Sequence, residues 1–150
     1  MQEDADAIRR VVVAIDLSMQ HARRCVSFAS QLANATGCET IILTVLKNSE
    51  ISDTEGRIDH TKLQKVEGEA RNVHEALTVR SNLFTFQNKL RSEFVKSDDV
   101  ADAICDYCKR AGADLVIVGR RGVGFLEGAI LGSVSTKVIK NSPCSVLVAK

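Results

Sequence analysis

Residues Asp114–Pro143 read DLVIVGRRGVGFLEGAILGSVSTKVIKNSP, and this stretch decides the fold. It opens on the apolar run Leu115 to Val118, which predicts a strand buried on both faces of a parallel sheet. The chain breaks at Gly119 into a loop. It resumes at Gly132-Ser133 as a short amphipathic helix, with Val134, Val138 and Ile139 expected on one side. Pro143, the single proline of the chain, ends that helix, because proline lacks the amide a further turn would need. Five of the nine glycines fall between Gly119 and Gly132, where ordinary usage would place about one.

A strand, a glycine-rich loop and a helix start together suit a phosphate. Amides in the first turn of a helix have no intrahelical acceptor, and the helix dipole adds partial positive charge there. Glycine lets a ligand approach the main chain closely. A hydrogen bond to a charged group contributes on the order of 1.5–3 kcal/mol. Three or four of them supply much of the roughly 8 kcal/mol that micromolar binding requires. Arg120 and Arg121 add charge, and Ser133 sets a hydroxyl at the helix start.

The spacing fits neither GxGxxG nor GxxxxGK[ST]. It is Gly119-x2-Gly122-x9-Gly132-Ser133, directly after a strand, and it resembles the ATP-binding signature of the universal stress protein family. The continuation Ser133-Val134-Ser135, Val138-Ile139, Pro143 and the run Ser145 to Val148 resembles the C-terminal end of that family.

Ahead of this stretch, Val11 to Ile15 form a β-branched run ending at Asp16, which predicts a central parallel strand. Ser18 is a candidate N-cap, and Ala22, Cys25, Val26, Ala29, Leu32 and Ala33 recur at helical spacing until Gly37. Thr40 to Leu46 predict a second strand. From Lys47 to Gly56 the chain reads as a polar, mobile connector. Leu63, Val66, Ala70, Val73 and Leu77 then trace an apolar stripe on a helix from Asp59 to about Arg80. Ser81 to Lys89 have no legible pattern. Leu90 to Lys96 suit an edge strand. Asp98 or Asp99 caps a further helix with Val100, Ile104, Cys108 and Ala111 inward and Gly112 at its end. Ser145 to Ala149 predict a fifth strand.

This alternation predicts one α/β domain over residues 1–150: a doubly wound, Rossmann-like parallel sheet with helices on both faces. In such sheets a ligand sits beyond the carboxyl ends of the strands, at the switch point of the topology. The family resemblance implies the strand order 3-2-1-4-5 and an adenine nucleotide, ATP or AMP, in that crevice; Asp16 and Ser133 are the candidates to help hold an accompanying magnesium ion. It also implies roles residue by residue. Asp16 matches the aspartate near ribose and phosphates. Val45 matches the position whose backbone meets adenine. Gly119, Gly122, Gly132, Ser133 and Val134 match the residues that hold ribose and phosphates, and Ser135 a following hydroxyl position. Arg120 and Arg121 join the candidate set by charge. The chain departs from the family at Asp16-Leu17-Ser18, where Asp-Gly-Ser is common, and Leu17 narrows the approach.

Other readings stand beside these. Asp16 also suits a helix cap, the glycine loop also suits a ligand-free crossover, and Arg120 and Arg121 also suit solvent. His21, His60 and His74 read as surface residues. Cys105-x2-Cys108 lies in a helical pattern without a second pair or nearby histidine, so packing is its expected role.

Composition sets the outer bounds. The formal net charge is +1, from 20 basic and 19 acidic residues, and aromatics make up 4%. That excludes a global field or stacking platform for nucleic acid. No apolar run is long enough to span a membrane. The acidic start MQEDADAIRR does not read as a secretory signal, and five cysteines suit free thiols. A cytoplasmic protein is expected. No catalytic base stands out, so slow hydrolysis at most is foreseen. A true nucleotide hydrolase or transferase, and a dimeric interaction module without nucleotide, are the alternatives. The apolar last strand, Ser145 to Ala149, is an edge that pairing would close, and the resemblance implies a homodimer there.

Overall fold

The computed structural model describes residues 6–120 and 131–150. Five strands form one parallel sheet in the order β3-β2-β1-β4-β5. They are β1 (Arg10–Ala14), β2 (Glu39–Lys47), β3 (Leu90–Ser97), β4 (Leu115–Gly119) and β5 (Ser145–Ala149). The interleaved helices are α1 (Met19–Thr36), α2 (Asn48–Ile51), α3 (His60–Leu77), α4 (Val100–Ala111) and α5 (Ser133–Asn141).

The β-branched runs form the centre because side chains on both faces of these strands meet helices. Val11, Val13, Ile42 and Ile117 pack with Ala22, Cys25, Val26 and Ala29 of α1 and with Leu77 of α3. Val12, Ile41, Leu43 and Val116 pack with Ile104 and Cys108 of α4 and Val138 of α5 on the other face. Adjacent residues of one strand therefore serve opposite cores, which explains the continuous apolar runs.

Local signals set the helix ends. Asp59 accepts hydrogen bonds from the Thr61 and Lys62 amides at the start of α3, and Asp99 does the same for Asp102 at the start of α4. Gly37 and Gly112 close α1 and α4 in the left-handed region, at φ 70° and 64°, where a side chain would be strained.

Four expectations need correction. The connector after Lys47 is not simply polar and mobile: it folds into α2, with Ile51 fully buried. His74 is not a surface residue but 1% exposed. Within the unpatterned stretch Ser81 to Lys89, Phe84 is buried and Gln87–Lys89 form a 3-10 turn. Ile139 is 47% exposed, and Ser135 takes the inner position with Val138.

The cysteines are packed thiols. Burial pushes Cys25 up to about 11, aided by the Asp16 carboxylate. Burial also raises Cys108, next to Cys144. Thiols held protonated in this way are poor nucleophiles.

Candidate functional site

The carboxyl ends of the strands open into a cavity of about 500 Å³ between β1, β2, β4 and the start of α5. A strand overrun creates it. The last rung joining β1 and β2 runs from the Ile15 amide to the Leu43 carbonyl at 2.9 Å. Beyond it β1 turns away at Asp16, whereas β2 continues to Lys47 with β3 as its remaining neighbour. Backbone groups alternate sides along a strand. Leu43 faces β1, so Val45, two residues on, turns its amide and carbonyl to the same side, where the ladder has ended.

Asp16 lines the same cavity from the end of β1. Its Oδ1 accepts the Ser18 amide at 2.9 Å, which turns the chain into α1. The cap reading is thus met in modified form: Ser18 is the N-cap residue, without a side-chain cap bond, and Asp16 holds it. The Ser18 hydroxyl lies 3.2 Å from His21 Nδ1, and His21, Leu17 and Cys25 line the cavity beside them.

The phosphate-loop stretch is closed at its own base. The Arg120 amide donates to the Ala149 carbonyl at 2.8 Å, and the Gly132 amide donates to the Arg120 carbonyl at 2.9 Å. Ser135 lies beneath, its hydroxyl directed to the carbonyls of Arg120 and Gly132 at 3.3 and 3.0 Å. The Gly132 amide and Ser135 hydroxyl therefore pin the loop's ends. The amides of Ser133, Val134 and Ser135, as the first three of α5, have no intrahelical acceptor.

Of the expected site residues, Asp16, Val45, Gly119, Gly132, Ser133, Val134 and Ser135 all line this one cavity. Arg120 adjoins it through the Gly132 and Ser135 bonds. Arg121 and Gly122 lie outside the described residues. Sequence reasoning missed Thr44, Lys47, Glu50 and His21 as cavity residues. For His21 a signal existed, since it stands three residues after Ser18 on the first turn of α1.

Among the described residues no group of three or more His, Cys, Asp or Glu is placed to hold a metal ion. Asp16 and Glu50 are, among the described residues, the carboxylates lining the cavity. That donor set suits a magnesium ion carried mainly by the phosphates of a ligand, since magnesium keeps most of its shell as water and phosphate oxygen.

The Universal stress protein family profile matches residues 7–150. The chain belongs to the universal stress protein family. A universal stress protein of Thermus aquaticus is 28% identical over 143 residues, spanning 95% of this chain and 98% of its own. A universal stress protein A-like protein of Arabidopsis thaliana is 35% identical over 57 residues, spanning 38% of this chain and only 33% of that relative. Among solved structures, UspA of Lactobacillus plantarum superposes with TM-score 0.77 at 21% identity, covering 95% of this chain and 98% of the other. A universal stress protein in complex with cAMP gives 0.68 at 24% identity, covering 96% and 98%. One from Archaeoglobus fulgidus in complex with dAMP gives 0.69 at 18% identity, covering 95% and 98%. At these identities the superpositions establish the shared sheet and helix order.

Proposed function

We propose that the crevice binds an adenine nucleotide, ATP or AMP, and that the protein is a nucleotide-responsive module of the stress response. The observation that carries this reading is the pairing of two unlike recognition surfaces across one cavity. At one side the Val45 peptide group lies beyond the last β1–β2 rung and offers one donor and one acceptor, the complement of the adenine edge. At the other the first-turn amides of α5 offer donors and a positive dipole to phosphate. Asp16, at the end of β1 between β2 and β4, lines the same cavity and is the group we assign to a ribose or to an ion on the phosphates. Relatives of the same fold in complex with cAMP and dAMP support the assignment.

Hydrolysis, if measured, is slow. Phosphoryl transfer needs positioned metal ligands and a residue that orients the nucleophile. His21 is already engaged with Ser18. The protein acts in the cytoplasm, as a homodimer through β5, which pairs with β4 on one side only within the single chain.

The test is isothermal titration of ATP with magnesium beside Gly132→Val. Gly132 has φ −70° and ψ 164°, an extended backbone that any residue adopts. The variant therefore introduces bulk at the α5 start without backbone strain. We expect micromolar binding in the native protein and a loss of about tenfold or more in the variant. Equal affinity in both would remove the α5 start from the site, and no binding in the native protein would favour an interaction module.

A further inference from the structure

The ladder between β1 and β2 stops one rung short of where β2 would allow it, and a side chain stands at the gap. In parallel register the next bond after Ile15 N–H to Leu43 O would run from the Val45 amide to the Ile15 carbonyl. That rung is absent, and the carbonyl accepts the Thr44 hydroxyl at 3.0 Å. Thr44 is 3% exposed, so this bond is not an exchange with water.

Behind Thr44 stands His74 of α3, with Nε2 2.7 Å from the same hydroxyl oxygen. The hydroxyl has one proton, and a carbonyl only accepts, so the proton goes to Ile15. Thr44 must then accept from His74, which fixes His74 as the Nε2–H tautomer. Its Nδ1 is buried without a partner, which is consistent with a neutral ring carrying an unshared lone pair there. Phe94 of β3 packs on the imidazole with ring centres 4.7 Å apart and holds its orientation. The chain of donation thus runs His74 to Thr44 to Ile15, inside the fold, and ends at the residue before Asp16.

We propose that Thr44, oriented by His74, is a positioning residue that keeps the Val45 peptide edge open, so that the crevice selects an amino-purine over an oxo-purine. The inference rests on the nucleotide reading above and deepens it. With Ile15 satisfied by Thr44, the Val45 N–H is left for the ring nitrogen of adenine and the Val45 carbonyl for its exocyclic amino group. An oxo-purine such as hypoxanthine presents the reverse pattern and meets like groups on both atoms. His74 does not line the cavity, and Thr44, which does, gives its hydroxyl proton to Ile15 and not to the ligand. They act through the Val45 backbone.

The test uses Thr44→Val, close to isosteric, and Thr44→Ser, which keeps the hydroxyl. ATP, inosine triphosphate and tripolyphosphate are the probes. In the native protein ATP should bind about tenfold or more tightly than inosine triphosphate. In Thr44→Val that preference should collapse while tripolyphosphate binds as before, and Thr44→Ser should recover it. Without any ligand, hydrogen exchange of the Val45 amide should slow in Thr44→Val as the missing rung forms. Nitrogen chemical shifts of His74 should report a protonated Nε2 and a bare Nδ1. Unchanged Val45 exchange, an unchanged ATP preference, or equal loss of ATP and tripolyphosphate in Thr44→Val would each overturn the proposal. A native protein that binds none of the probes overturns the nucleotide reading and the selection of an amino-purine with it. The exchange measurement would then judge the Thr44 contact by itself.

Discussion

The two ends of this sheet solve opposite problems with similar residues. At the amino end, polar groups close on one another. The Asp114 carboxylate accepts the amides of both Arg9 and Arg10, at 2.8 and 2.9 Å. Glu39 pairs with Arg10 and Arg91, the Arg10 guanidinium also reaches the Ala111 carbonyl, and Lys89 reaches the Gly37 carbonyl. At the carboxyl end the strands stop at different lengths, and the backbone at Val45 and the α5 start faces a cavity. The same kind of carboxylate that ties two strands together at Asp114 turns a chain aside at Asp16. Unequal strand ends, more than residue type, separate a stabilising end from a binding one.

Variants can break this contrast. The largest effect is expected at Ile51, which is fully buried behind Glu50 on the crevice wall. Ile51→Ala should cost about 3 kcal/mol in urea unfolding and weaken nucleotide binding at the same time. A loss of stability with unaltered affinity would detach α2 from the site.

Acid should strike the same end. Burial pushes His74 down to about 4 from its ordinary 6.5, so the unfolded chain takes up this proton first as pH falls. The native state is favoured in full above 6.5 and loses stability down to about 4. The expected loss is about 2 kcal/mol between neutral pH and the middle of that window. Denaturation midpoints that stay level over this range would contradict a neutral buried imidazole.

Asp114→Ala should cost less, about 1 kcal/mol, because water replaces the carboxylate at two partly exposed amides. It sharpens the comparison if ATP affinity stays at the native value, and blurs it if affinity falls. The smallest effect is expected at Lys137, which bridges Asp99 and Asp102 between α4 and α5 at 2.6 and 3.0 Å. Surface pairs of this kind contribute little. Lys137→Met should leave the melting temperature nearly unaltered, and a large drop would give this bridge a role in seating α5.

Legibility in the sequence follows the range of the interactions involved. The five strands and the four longer helices were readable because each is written in local periodicity, and even the edge character of Leu90 to Lys96 came through. Asp99, Gly37 and Gly112 acted as caps where their residue types suggested, and Asp59, legible only as the start of its helix, caps it as well. His74 was missed although its position was informative: it lies four residues after Ala70 and three before Leu77, on the buried stripe. Its chemistry suggested the surface, while its partner Thr44 is thirty residues away in sequence. Ile51 was hidden for a similar reason, one apolar residue in a polar stretch having no periodicity. At the site, Asp16 and the Gly132 region were legible as a motif. That the Gly132 amide is taken by Arg120, and that Thr44 stands at an absent rung, depend on how strands far apart in sequence end.

The closed base of the phosphate-loop stretch has a consequence for the crevice wall. Because the Arg120 carbonyl and the Gly132 amide meet directly, β4 and α5 are joined by a clasp independent of the interval between them. The end of β4 and the start of α5 are therefore held in register by a contact of their own, and the wall of the crevice that they form does not depend on packing alone.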